Sequence, residues 1–272
     1  MAVTMADISK LRTMTGAGMM DCKNALNESE GDFEKAIEII RKKGQAVAAK
    51  RSDREAAEGC VLAAANGGYA ATIALKCETD FVAKNADFIA LTQSVLDKIM
   101  AEKPANLDAL KAIQLDGRTI AELITDRSGV TGEKMELDYF EFVTGGTTVA
   151  YIHPGNKLAT IVAFKEEGVD NQVARDVAMQ VAAMNPVSLN RESVPEKVIN
   201  TELEIGREKA REEGKPENML DKIAQGRLNK FFQESTLLEQ EFIKDSKMKV
   251  ADYLKSNNAT AIGFKRVTLN QD

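Results

Sequence analysis

Few side chains in this sequence could carry covalent chemistry. His153 is the only histidine, and the three cysteines, Cys22, Cys60 and Cys77, are far apart and lack any C-x-x-C spacing. A site built from several histidines is therefore excluded, no zinc site is suggested, and no cofactor is expected. The one enzyme that could be assembled would use Cys77 as nucleophile and His153 as base. No oxyanion or orienting signature accompanies the pair, and an activated thiol needs an electropositive setting, so a non-catalytic protein is expected. Two other groups suit binding better. The run Glu78-Thr79-Asp80-Phe81-Val82-Ala83-Lys84-Asn85 sets an acid beside a ring, between a strand and a helix whose apolar stripe breaks at Lys84 and Asn85. A loop held there by a rigid scaffold presents binding residues: the acid repels a phosphate and the ring wedges into a crevice. The plainer alternative makes Phe81 a core residue and Asp80 a helix-cap acid, and spacing alone points to that alternative. The second group is Leu-Arg-Thr-Met-Thr-Gly-Ala-Gly-Met-Met-Asp-Cys-Lys-Asn-Ala-Leu at residues 11 to 26, a glycine turn that feeds a helix opening on two methionines. Helix neighbours point about 100° apart, so Met19 and Met20 cannot share a narrow buried stripe. A buried row of Met19, Cys22 and Leu26 turns Met20 outward, where a soft side chain suits a protein-binding surface. The alternative buries both methionines.

Composition narrows the classes further. The chain of 272 residues carries a formal net charge of -6. That length allows two or three units, and that charge gives no overall attraction to nucleic acid or to an anionic membrane. Arg41, Lys42, Lys43, Lys50, Arg51 and Arg54 could touch RNA, but a solvated face and a helix C-terminus explain them more simply. An odd number of scattered cysteines indicates reduced thiols. Met1 to Lys10 lack the apolar region of a secretory signal, and no apolar run approaches the roughly 20 residues needed to span a bilayer. The expectation is a cytoplasmic protein with no membrane contact.

The elements that would position these groups follow from periodicity. Thr4 with Asp7 reads as a helix N-cap, with Met5, Ile8 and Leu11 at helical spacing. A second helix runs from about Met19 to Ser29. Asp32 caps a third, whose Phe33, Ala36, Ile37 and Ile40 line one face until Gly44. Gln45 to Glu58 reads as a linker. Cys60 to Ala65 and Tyr69 to Cys77 are predicted strands joined at Asn66-Gly67-Gly68. Phe88, Leu91, Thr92, Val95, Leu96 and Ile99 mark an amphipathic helix. Thr119 and Glu122 suggest a capping box, and Met135, Leu137 and Tyr139 alternate as a strand. Ala71 to Lys76 is echoed at Ala159 to Lys165, which suggests two related halves of an α+β core. Past Asn185-Pro186, Ser193 and Glu196 read as the cap of a long charged helix. Gly214-Lys215-Pro216 turns it into a second helix that ends near Gln233. The apolar content of that antiparallel hairpin is thin, so it is expected to protrude as a coiled-coil arm. Ser246 to Lys255 reads as a helix and Thr260 to Leu269 as a closing strand, which makes the hairpin an insertion.

With both signatures in view, the chain resembles the elongation factor Ts family, guanine-nucleotide exchange factors of the translational GTPase elongation factor Tu. Leu11 to Leu26 is similar to the family's first signature and Thr79 to Lys84 to its second. Further matches are Gly214-Lys215-Pro216, Gly226-Arg227 with Lys230-Phe231, Leu237-Leu238 with Gln240 and Phe242, and Gly263-Phe264. The resemblance implies a three-helix domain of the ubiquitin-associated type at 1–45 and a linker at 46–58. It also implies a first core subdomain at 59–143, a second at 144–185 and 236–272, and a helical hairpin inserted at 186–235. It implies that Arg12, Met19, Met20 and Lys23 face the GTPase's nucleotide-binding domain, and that Asp80 and Phe81 insert near its magnesium and phosphate site. By the same likeness His153 and Ile243 lie on core surfaces that face the partner. The expected partner is elongation factor Tu, GDP-bound and nucleotide-free, without direct nucleic-acid binding and with room for a heterotetramer through core or hairpin. Two departures stand out. Glu241 replaces the family's usual proline beside Phe242 and Ile243, and the chain ends at Asp272 without the additional C-terminal helix of some members.

Overall fold

Thr4 and Asp7 form the expected capping box: the Thr4 hydroxyl accepts the Asp7 N–H at 3.2 Å, and the Asp7 carboxylate accepts the Thr4 N–H at 3.0 Å. The fold that starts from this cap, in a computed structural model, describes residues 3–270 and is of the α+β class. Met1, Ala2, Gln271 and Asp272, the outer ends of the expected first domain and closing segment, lie outside the described residues. The chain divides into two units, Met1–Leu62, Ile73–Phe140 and Leu269–Asp272 in the first, Ala63–Thr72 and Glu141–Thr268 in the second.

In the first unit the cap opens α1 (Met5–Thr15), which ends at Gly16 in the left-handed region, and α2 (Met19–Glu28) follows. Asp32 caps α3 (Phe33–Lys50). Ile8, Leu11, Cys22, Ala25, Leu26 and Ala36 make a small core with Phe33, Ile37 and Ile40. Next come β1 (Glu58–Asn66) and β2 (Tyr69–Cys77), with Gly67 at φ 57° in the turn between them; the hairpin end, Ala63–Thr72, is counted in the second unit. There follow α4 (Asp80–Ala83), α5 (Ala86–Glu102), α6 (Leu107–Ala112), the short pair β3 (Gln114–Leu115) and β4 (Arg118–Thr119), α7 (Ile120–Thr131), and β5 (Glu136–Thr144), whose residues from Glu141 on are counted in the second unit. Thr119 and Glu122 form the second expected capping box. The long strands order as β1-β2-β5, and α5 buries Phe88, Thr92, Val95, Leu96 and Ile99 as its stripe requires.

Two expectations fail here for physical reasons. Met5 belongs to the periodic row of α1 but is exposed, because it lies two turns from Arg12, on the edge of the stripe that Ile8 and Leu11 bury. Gly44 does not end α3, which continues to Lys50 through what reads as linker. A glycine inside a helix costs about 1 kcal/mol relative to alanine, but here it admits another backbone. A β-carbon built on Gly129 of α7 would overlap the Gly44 backbone, so α3 and α7 cross where both lack side chains.

In the second unit, β6 (Thr147–Ile152), β7 (Leu158–Phe164) and, much later, β10 (Ala261–Thr268) form an antiparallel sheet ordered β10-β7-β6. The echoed segments are thus the central strands of the two sheets, β2 and β7. Helix α8 (Asn171–Met184) packs on β7 through Val173, Val177 and Val181 against Val162 and Phe164, and buried Thr160 donates its hydroxyl to the Ala178 carbonyl at 2.8 Å. The helical hairpin is α9 (Glu196–Glu212) and α10 (Leu220–Ser235), with Gly206 against Ala224 and a cluster of Val194, Leu228 and Phe232 backed by Val198, Ile199 and Leu203. Ser193 does not cap α9. It closes a capping box with Asn190 around a 3-10 turn, and Pro195, with no side-chain hydrogen bond, leads into the helix. The helix expected over 246–255 is also shorter. Here β8 (Glu241–Phe242) pairs with β9 (Asp245–Lys249), which takes those residues into a ribbon, and α11 (Val250–Ser256) starts only at Val250.

The glycine contact predicts opposite effects from one chemical change. Gly129→Ala is expected to lower stability to urea by about 2–3 kcal/mol through overpacking. Gly226→Ala, on an open face of α10 where a β-carbon meets no atom within 4 Å, is expected to raise it by about 0.5–1 kcal/mol. Equal midpoints for the two variants would refute the close crossing.

Candidate functional site

The first candidate surface begins with backbone that only the glycine turn allows. Gly16 caps α1 at φ 69°, the Thr15 hydroxyl donates to Leu11 O at 2.8 Å, and the chain enters α2 at Met19. Cys22, Ala25 and Leu26 then occupy the buried face of α2. Of the expected row of Met19, Cys22 and Leu26, the last two are buried as expected and Met19 is not. Ala25 joins them, and both Met19 and Met20 are exposed, at 46% and 64%. Ala17, in the turn ahead of α2, is buried in the same core. Met5, Ala6, Ile8, Ser9, Arg12 and Met19 line one groove of about 390 Å³. Arg12 and Met19 are thus brought together, while Met20 and Lys23 lie exposed on α2. Met5 joins this surface although its spacing read as core. The available signal was the seven-residue interval from Met5 to Arg12, which puts both on one face.

The second surface is the turn from β2 into α4. Phe81 is 85% exposed, so it is not the core residue that spacing alone suggested. Thr79 is the N-cap of α4, its hydroxyl accepting the Val82 N–H at 3.4 Å, and Ala83 and Phe88 anchor the following segment in the core. Asp80 is the first residue of that helical turn and pairs with Lys84 at 2.7 Å, a contact that raises the Lys84 ammonium pKa. The turn is fixed from beneath by two carboxylates. Glu133, in the connection from α7 to β5, accepts the N–H of Glu78 at 3.1 Å, the N–H of Thr79 at 3.0 Å and the Thr79 hydroxyl at 2.5 Å. Glu78 in return accepts the Lys134 N–H at 2.7 Å and pairs with Arg51 and Arg54.

Cys77 lies directly before this turn and fails as a nucleophile. Its sulfur is buried and donates to the Thr79 carbonyl at 3.3 Å, and burial, reinforced by the Glu133 charge, pushes its pKa up to about 12. A thiol in such a setting stays protonated. The basic run from α3 is also largely committed to local acids: Lys42 to Glu38, Lys43 to Asp21, and Arg51 and Arg54 to Glu78.

In the second unit His153 follows β6 and is exposed, its Nδ1 2.9 Å from the Tyr151 hydroxyl, with its backbone closing a turn onto Leu158. Ile243 is exposed on the turn between β8 and β9. Its backbone is held by a fully buried amide. Gln180 Oε1 accepts the Ile243 N–H at 2.9 Å, while its Nε2 donates to the Glu241 carbonyl at 3.0 Å. Next to it Lys244 reaches the buried Asp176, which also accepts from Tyr253 and Gln172. Burial is the largest influence on the Asp176 carboxyl and raises its pKa, but the three hydrogen bonds together hold it below the usual carboxylate range. Glu241 thus stands in a strand pair whose turn is fastened from α8, and periodicity carried no sign of that anchor.

Comparison with known proteins agrees with the two signatures. A family model described as Elongation factor TS matches residues 78–271. The chain is 65% identical to the elongation factor Ts of Porphyromonas gingivalis over 275 aligned positions that take in all of both chains. The corresponding protein of Azobacteroides pseudotrichonymphae is 54% identical over 274 positions, and that of Parabacteroides distasonis 46% over 331, again with both chains wholly covered.

The thiol chemistry is directly measurable. All three cysteines are buried, so native protein at pH 8 is expected to react with a thiol reagent at least about a hundredfold more slowly than protein in urea, since only the thiolate attacks. Rapid stoichiometric labelling of Cys77 in the native state would contradict its placement.

Proposed function

Because the chain belongs to the elongation factor Ts family, translation factors that exchange the nucleotide of elongation factor Tu, we propose that it drives GDP out by setting Phe81 beside that GTPase's magnesium and phosphate site. The observation that carries this reading is the 85% exposure of a phenyl ring on a turn with a fixed backbone. Covering such a ring contributes about 1.5–3 kcal/mol, which is available only when another surface closes over it. Asp80, adjacent on the same turn, brings a carboxylate toward the metal's water and carboxylate shell. The exposed Met19 and Met20, with Arg12 and Lys23, supply affinity for the nucleotide-binding domain, and His153 and Ile243 add contacts from the second unit.

The energetics follow from linkage. A GTPase that holds GDP with nanomolar affinity binds it by about 12 kcal/mol, so unaided release is slow. A factor that binds the empty conformation better than the loaded one weakens nucleotide by the same coupling free energy, and incoming GTP ejects the factor in turn. No bond is made or broken, so the factor works without a cofactor of its own. It meets its partner in the GDP-bound and nucleotide-free states in the cytoplasm, and core or hairpin surfaces carry any heterotetramer.

Phe81→Ala is expected to slow stimulated release of a fluorescent GDP about tenfold, equal to about 1.4 kcal/mol of barrier. Its own stability should stay within about 0.5 kcal/mol of wild type, as for other exposed positions. Release at the wild-type rate would end the wedge reading. Met20→Asp should raise the dissociation constant for elongation factor Tu about tenfold by calorimetry; an unchanged constant would put Met20 outside the interface.

A further inference from the structure

Glu133 lies outside both sequence signatures, yet its carboxylate fastens the start of the Asp80-Phe81 turn to the connection that follows α7 through three hydrogen bonds. One oxygen takes the backbone N–H groups of Glu78 and Thr79, and the other takes the Thr79 hydroxyl. Charge-assisted bonds of this kind are about twice as strong as neutral ones. Glu133 is itself braced on both sides: its N–H donates to the Thr131 hydroxyl at 3.3 Å, and its carbonyl accepts from the buried Ser128 at 2.5 Å. The neighbouring carboxylate, Glu78, completes a crossed arrangement by accepting the N–H of Lys134, the residue after Glu133. Arg51, at the end of α3, and Arg54 beyond it offset the repulsion between the two acids.

We propose that Glu133 is a positioning residue for nucleotide exchange: it aims Phe81 and Asp80 by locking the Thr79 cap, and it touches neither nucleotide nor metal. This inference rests on the reading that Phe81 acts on the partner's phosphate site. An exposed ring has no packing of its own to fix its direction, so its aim comes from the backbone below it. Misplacement by about 1 Å is enough to cost on the order of a hundredfold in a positioned reaction. Without the carboxylate, the N–H groups of Glu78 and Thr79 lose their acceptors and the α4 cap loses the group that orients its hydroxyl.

The test measures GDP release from elongation factor Tu over a range of factor concentrations, with full-length E133A, F81A, the E133A/F81A double variant, T79S and T79V. E133A should lower the maximal rate about tenfold with little change in the half-saturating concentration, and the double variant should be no slower than the slower single one. T79S keeps the hydroxyl and should stay within about twofold of wild type, while T79V should fall toward E133A. The Thr79 pair answers the question even if E133A folds poorly. Wild-type release by E133A or T79V while F81A is slow overturns the positioning role and leaves the wedge intact. Losses that multiply in the double variant also overturn it, because Glu133 would then act by another route. F81A at the wild-type rate removes the wedge reading itself, and the inference with it.

Discussion

A large apolar ring left in water holds a direction only if its backbone is clamped by groups other than the ring. Nearly everything around Phe81 serves that constraint. The strand before it is buried except at Lys76, the helix after it is rooted by Phe88, and the turn between them hangs from the carboxylate of Glu133. Glu133 is presented by the connection that follows α7, and α7 is held against α3 at the crossing of Gly44 and Gly129. Within the first unit an unbroken series of contacts therefore runs from the three-helix bundle to the exposed ring. The link through Arg51 and Glu78 runs beside it.

The second unit solves a related problem with different parts. Its central strand β7 repeats the Ala-Thr-Ile of β2, and both threonines are fully buried. Thr160 uses its hydroxyl to tie the strand to α8. From the same helix the side chain of Gln180 reaches the β8–β9 turn and fastens Ile243, acting as donor and acceptor at once. In the first unit an acid presents a ring, and in the second an amide presents an aliphatic side chain. In each case a buried polar group replaces the packing that an exposed residue lacks.

Much of this was legible in the sequence, because helix caps, hairpin glycines and apolar stripes are local signals. Thr4 with Asp7, Asp32, Thr119 with Glu122, and the α5 stripe all fold as their spacing requires. The departures come from contacts distant in the chain. Gly44 reads as a stop until Gly129, 85 positions later, is seen to need the space. Ser246 to Lys249 read as helix because the pairing of Asp245 with Phe242 is not visible in periodicity. The exposed residues divide in the same way. Met20 could be placed outside by helix geometry, whereas Phe81 could not, since an aromatic residue beside a buried strand has the spacing of a core position. Glu133 gave no local signal at all, and its role depends on partners 54 and 55 positions away.

The crossing of α3 and α7 also bears on how such a chain changes over generations. The two glycines face each other but are not equivalent: a methyl group on Gly44 would sit 3.5 Å from the Gly129 Cα, an ordinary contact, whereas one on Gly129 would run into backbone. Drift through this point is ordered. Position 44 can accept alanine while 129 stays bare, but position 129 has no permitted first step of its own. The obstacle at 129 is backbone and stands whatever residue occupies 44, so one small overlap holds one position of the pair constant and leaves the other free to vary.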